Sequence, residues 1–250
     1  MKIAVISDIH GNDLALEAVL ADIAALGIEE IVNLGDHLSG PLNAARTADI
    51  LMERDMPAIR GNHDRYLLTI DPAGMGPSDR AAYDQLEQHH LEWLATLPDT
   101  LVYRDTLFLC HGTPADDETY WMEALTADGI VHMGERHAIE CFAEGIAYPV
   151  ILCGHTHIPR AVRLAGGRLL VNPGSVGCPG FTDDHPVGHK VETGSPDARY
   201  AIVDQTANGW SVTFRCVPYD HMQMSRLAAN RNRPEWASAL ATGLLDGDPR

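Results

Sequence analysis

KIAVISDIHGN, residues 2–12, is a short apolar run that stops abruptly in polar side chains. The apolar part reads as a buried strand, and the stretch after Asn12 reads as a helix. Leu16, Val19, Leu20, Ile23 and Leu26 recur on one helical face. Asn12 or Asp13 suits the N-cap, and Gly27 marks the end. Strand, polar turn and helix form the opening unit of an α/β fold. Asp8 and His10 lie on the turn, two residues apart. In extended chain both would point to one side.

The same punctuation recurs. EIVNL (30–34) runs into Gly35-Asp36, and PAIR (57–60) into Gly61-Asn62-His63-Asp64. TLFLC (106–110) runs into His111, and PVILC (149–153) into Gly154-His155-Thr156-His157. Five strand ends thus carry groups that can bind metal. In an α/β sheet the ligand crevice lies beyond the carboxyl ends of the strands. Leaving His63 aside, the set is two carboxylates (Asp8, Asp36), one amide (Asn62) and four imidazoles (His10, His111, His155, His157). That exceeds one tetrahedral ion and suits two divalent ions sharing a bridging carboxylate. Nitrogen and oxygen donors without thiolate suit Mn, Fe, Zn, Ni or Co.

The later strands follow one another without long helices. TLVYR-D-TLFLCH, RAVRLAGGRLLVN and RYAIVDQTANGWSVTFRCV read as antiparallel hairpins. Parallel βα units followed by antiparallel strands predict two mixed β-sheets packed face to face with helices outside, a four-layer α-β-β-α sandwich. We expect one domain over residues 1–250, with helical insertions at 66–98 and 114–145. Segment 178–198 reads as an aperiodic loop that could serve as a lid. Segment 221–242 reads as helix, and the last residues as frayed.

The formal net charge of −17, from 18 Lys+Arg against 35 Asp+Glu, argues against binding long nucleic acid. A small anionic substrate remains compatible, because bound cations reverse the local field. Five cysteines without a CxxC pair fit a reducing compartment. No stretch approaches the length of a membrane span. A soluble cytoplasmic protein is the expectation.

The ordered motifs DxH, GD, GNHD, a lone HG and GHTH, followed by Asn172-Pro173-Gly174-Ser175-Val176-Gly177, resemble the calcineurin-like metallophosphoesterase family. The resemblance implies that Asp8, His10 and His157 hold one metal. It implies that Asn62, His111 and His155 hold the second, that Asp36 bridges, and that manganese is the first candidate ion. The ions would clamp a phosphoryl group and activate water for in-line attack, with His63 protonating the leaving oxygen. Asn12 is a candidate phosphate-binding residue at the helix start. The protein Ser/Thr phosphatase branch reads GDxxDRG in the second motif. Here Ser39 stands where that branch carries an aspartate that orients the histidine, and Gly40 where it carries an arginine that grips phosphate. The compact bacterial and archaeal phosphodiesterase branch is therefore the better match, and a small soluble phosphodiester the expected substrate. Arg60, Arg65 or Arg160 could still grip a monoester. Dinucleoside polyphosphates are an alternative substrate. A metal-bound interaction scaffold, as in the retromer subunit of this fold, is the alternative of another kind.

The remaining histidines have plainer readings. His37 should point away from Asp36 by alternation. His89, His90, His132, His137 and His221 are expected at solvated positions, and His185 and His189 in the lid segment. Cys110 and Cys153 should face the core, and Ser175 should serve a tight turn.

Overall fold

The computed structural model describes residues 1–245. The frayed end expected at the C-terminus falls on 246–250, outside the described residues. The first part runs β1 (Lys2–Ile6), α1 (Asp13–Ala25), β2 (Glu30–Asn33), α2 (Ala44–Met52), α3 (Asn62–Thr69), α4 (Pro77–Tyr83) and α5 (Gln88–Thr96). The middle runs β3 (Leu101–Tyr103), β4 (Leu107–Leu109), β5 (Glu123–Leu125), β6 (Val131–Met133), α6 (Arg136–Phe142) and β7 (Val150–Leu152). Then come β8 (Arg160–Arg163), β9 (Leu169–Asn172), β10 (Gly180–Asp183), β11 (His189–Glu192), β12 (Ala198–Thr206) and β13 (Gly209–Val217). The chain closes with α7 (His221–Asn230) and α8 (Pro234–Thr242).

Two mixed sheets form. One has the order β13-β12-β1-β2, and the other β3-β4-β7-β9-β8. β1 pairs in parallel with β2 and antiparallel with β12. β4, β7 and β9 are parallel neighbours, with β3 and β8 antiparallel at the two edges. All three predicted hairpins are present.

Alternation between two covered faces explains why β1 is apolar from Ile3 to Ile6, after the exposed Lys2. Ile3 and Val5 pack with Val32, Leu107, Leu109, Val150, Leu152 and Val171 between the sheets. Ala4 and Ile6 turn outward onto Leu16, Val19 and Ile23 of α1. On the far side, Ile151, Leu170, Cys110 and Cys153 pack against Ile139 of α6. The layers are therefore helix, sheet, sheet, helix. Each buried strand side chain contributes about 1.5–3 kcal/mol, and the central strands β1, β7 and β9 are covered on both faces.

Several local expectations are corrected. Leu26 caps α1 and is 44% exposed, so it lies outside the buried face. Segment 57–60 forms only a bridge, Asn33 to Ala58, rather than a strand. The 114–145 segment holds the β5–β6 hairpin and one short helix, and is not helical throughout. The 178–198 segment contains the β10–β11 hairpin, which gives little sequence signal because GFTD and HKVE each hold a single large apolar residue. The 221–242 segment is two helices, with Pro234 starting the second. Among the described residues no helix is long and apolar enough to cross a membrane.

Candidate metal centre

All seven predicted ligands converge beyond the carboxyl ends of the strands. Asp8 and His10 follow β1, Asp36 follows β2, His111 follows β4, and His155 and His157 follow β7. Asn62 opens α3, after the 57–60 segment. The expected mechanism of convergence is corrected, however. Asp8, His10, Asp36, His155 and His157 have φ of 56°, 51°, 55°, 70° and 58°. These pairs face one centre through left-handed turns, not through extended alternation. Such backbone costs about 1–3 kcal/mol per residue and persists only where the surroundings over-determine it.

The surroundings do so. Asp8 N donates to Gly35 O at 3.0 Å, and His10 N to Asp36 O at 3.1 Å. Ser175 Oγ donates to Asp8 O at 2.7 Å, the turn role expected of it. Asn172 Nδ2 donates to Gly154 O at 2.6 Å and holds the His155 turn. Asp64, fully buried, accepts the N–H groups of Asp36 (2.8 Å), His37 (3.0 Å) and Gly61 (3.0 Å). It also accepts the ring Nδ1–H of His37 at 2.7 Å, which turns that ring away from the centre onto Trp93. Gly61 must lack a side chain, because a Cβ there would overlap Asp36 Oδ1 and N.

Two clusters result: Asp8, His10 and His157 in one, and Asp36, His111 and His155 in the other. Asp36 Oδ2 reaches across both, at 3.2 Å from His111 Nε2 and 3.8 Å from His10 Nε2. Backbone carbonyls set the imidazole tautomers. His10 Nδ1–H donates to Ser39 O (2.8 Å), His111 to Leu34 O (2.7 Å) and His157 to Cys178 O (2.8 Å). Each of these rings is thereby left with Nε2 turned inward. His155 is reversed: its Nε2 donates to Glu118 O at 2.8 Å, which leaves Nδ1 free. Such outer hydrogen bonds orient imidazole for metal binding.

The donor set fits divalent metal. Asp8 Oδ1 and Asn62 Oδ1 are buried acceptors that receive no hydrogen bond. Buried polar atoms left so are costly unless a further group meets them. Each cluster also pairs a neutral with a charged imidazole. Burial and the neighbouring His157 push His10 down to about 4, and burial and His111 push His155 to about 4. Burial opposes charge on His111 too, but Asp36 outweighs it and raises His111 to about 10. Asp8 likewise raises His157 against its burial.

His63 lies beside the clusters, its side chain 31% exposed in a cavity of about 330 Å³. Its Nδ1 is 2.7 Å from Asp79 Oδ1 and 3.2 Å from Ser39 Oγ. Burial disfavours its charge, but Asp36 and Asp79 dominate and raise it to about 9.

Other expectations change. Asn12 is fully buried, with Oδ1 accepting from Ala15 N and Nδ2 donating to Gly177 O and Tyr219 Oη. It is a helix cap tying the 177 turn, and its polar atoms are turned inward rather than to a phosphate. Arg60 pairs with Asp99, Arg65 with Asp117 and Glu118, and Arg160 with Glu123. None of the three lines the cavity. Arg233 does, together with Phe181, Trp236 and Asp183. It went unnoticed because nothing near it resembles a motif. His90 is buried rather than solvated, accepting from Glu87 N and bonding Asp49. His189 is buried against Tyr120 at 2.9 Å, and His185 is exposed.

Fold and site together define a phosphoester-hydrolase class of protein. Residues 1–194 match the calcineurin-like phosphoesterase superfamily domain, and the chain belongs to that superfamily. An uncharacterized protein of Methanocaldococcus jannaschii is 25% identical over 257 residues, 94% of each chain. A metallophosphoesterase of Sphaerobacter thermophilus superposes with a TM-score of 0.74 at 25% identity, over 98% of this chain and 99% of that one. A hypothetical protein of Pyrococcus horikoshii shares the fold, with a TM-score of 0.75 at 22% identity and coverage of 98% and 99%.

Proposed function

We propose that this protein is a dinuclear metal-dependent phosphoesterase that hydrolyses a small soluble phosphodiester. The observation that carries the proposal is Asp36 Oδ2, within 3.8 Å of an imidazole nitrogen from each cluster. Asp8, His10 and His157 would hold one cation, and Asn62, His111 and His155 the other, with Asp36 shared. Two divalent ions there, manganese first among the candidates, would neutralise phosphoryl charge and activate the water nucleophile. The chain does the rest. The clusters fix the substrate beside His63, whose Nδ1 is occupied by Asp79. Nε2 then donates its proton to the leaving oxygen as the P–O bond breaks. The products are an alcohol and a phosphomonoester; the proton shed by the attacking water passes to solvent, and solvent returns one to His63 Nε2.

Diester is favoured over monoester by the charge of the cavity. Arg233, its one arginine among the described residues, is hydrogen-bonded to Glu235 at 2.5 Å, and Asp183 also lines the wall. That lining supplies little free positive charge for a doubly charged monoester. The test is hydrolysis of bis-p-nitrophenyl phosphate beside p-nitrophenyl phosphate by protein stripped with chelator and reloaded with Mn²⁺. Metal-restored turnover, greater on the diester and abolished by Asp36→Asn, is expected. Turnover that survives Asp36→Asn would overturn the dinuclear reading.

A further inference from the structure

The second sequence motif lacks the carboxylate that a histidine acid needs behind it, since position 39 is serine. A carboxylate nevertheless stands there. Asp79 belongs to α4, within the 66–98 segment, and is 5% exposed. Its Oδ1 lies 2.7 Å from His63 Nδ1, whereas Ser39 Oγ, a neutral partner, lies at 3.2 Å. A charge-assisted bond at the shorter distance dominates the ring's orientation.

We propose that Asp79 is the positioning residue of His63, so that helix α4 replaces the missing carboxylate of the second motif. Asp79 accepts the Nδ1 proton, fixes the ring plane and leaves Nε2 as the nitrogen that meets the leaving oxygen. The helix is fastened to the site for this. Gly40 N donates to Ser78 O at 3.1 Å, which ties α4 to the turn after Asp36. Arg233 Nη2 donates to Ser78 Oγ at 2.9 Å, which ties α4 to the start of α8. A carboxylate near a helix start is also favourable to the helix itself, so a purely structural role is the competing account.

The inference rests on the phosphoesterase reading, and the experiment separates the two. Mn²⁺-loaded wild type, Asp79→Asn, Asp79→Glu, His63→Ala and the double variant His63→Ala/Asp79→Asn would be assayed on bis-p-nitrophenyl phosphate and on diphenyl phosphate, whose leaving group needs a proton more. Asp79→Asn should lose about tenfold to a hundredfold in kcat on diphenyl phosphate. On the activated ester it should lose less than about threefold, with metal content and KM unchanged. Asp79→Glu should recover part of the loss, and Asp79→Asn should add little on a His63→Ala background. Equal losses on both esters, or additive losses in the double variant, would overturn the proposal. A second readout needs no turnover. The far-downfield Nδ1–H proton resonance absent from His63→Ala should also be absent from Asp79→Asn; its persistence there would overturn the proposal. Wild type without hydrolysis of either ester would sink the phosphoesterase reading, and the resonance would still decide Asp79.

Discussion

The Nε2 atoms of His10 and His157 face each other at 3.1 Å across 147 residues of sequence. Both rings spend Nδ1–H on backbone carbonyls, so one of the facing nitrogens must carry a proton for the contact to be favourable. The neighbouring carboxylate of Asp8 assigns that proton to His157.

Metal loading should therefore expel protons. Near neutral pH the charged rings are His157 and His111, while His10 and His155 are neutral. Titration calorimetry of the chelated protein with Mn²⁺, in buffers of different ionisation enthalpy, should show about two protons released per chain at pH 7. No buffer dependence would contradict the arrangement.

Gly61→Ala should damage the centre without touching a ligand. The added Cβ overlaps Asp36, so the 36 turn or the start of α3 must shift. We expect about 1–3 kcal/mol of destabilisation, and bound metal falling by at least half when measured by elemental analysis. Full metal content in a normally folded variant would contradict this.

Asp64→Ala should be among the most destabilising single changes. It strands three backbone N–H groups and the His37 ring in a dry region. Unmade buried bonds put the loss at about 2–4 kcal/mol in urea unfolding. A loss below about 1 kcal/mol would mean that water reaches these groups readily.

Asp22, remote from the centre, should matter for stability in a pH-dependent way. It accepts from both Arg215 nitrogens (2.7 and 3.1 Å) and from Tyr200 Oη (2.6 Å), joining α1 to β12 and β13. Its hydrogen bonds to Arg215 hold the carboxyl below its ordinary value. A depressed folded pKa gives stability that is present above the unfolded value, near 3.9, and fades as pH falls through the folded one. Asp22→Asn should cost about 1 kcal/mol at pH 7, with the gap to wild type narrowing below about pH 4. Metal content and turnover should be unchanged.

Arg233→Ala tests the cavity wall. The Arg233 guanidinium is already spent on Glu235 and Ser78, so KM for a diester should change by less than about threefold, with kcat little changed. A KM rise of about tenfold or more would mean that Arg233 leaves Glu235 to grip the phosphoryl group.

The layered fold was legible because its strands announce themselves locally. After the exposed Lys2, β1 is apolar from Ile3 to Ile6 since it is covered on both faces, and the three expected hairpins carry their turns in sequence. The convergence of the seven candidate ligands was legible for the same reason: each follows an apolar segment, and chain connectivity brings it to the rim. What sequence could not reveal is how they aim. Extended alternation would have served Asp8 with His10 and His155 with His157, yet all four adopt left-handed backbone, a conformation that hydrogen bonds from other strands impose. Buried His90, the bonds from Asn12 to Gly177 and Tyr219, and the β10–β11 pair were not legible because their partners are remote or their strands too polar to stand out. The cavity wall was likewise out of reach. Ser78 and Arg233 are 155 residues apart, and no local rule links α4 to α8. Motif order by itself determined the family and which ligand-type side chains meet at the rim; only packing decided that Asp79 stands behind His63 and that Arg233 and Trp236 line the pocket, because contacts between helices depend on which apolar faces meet in three dimensions.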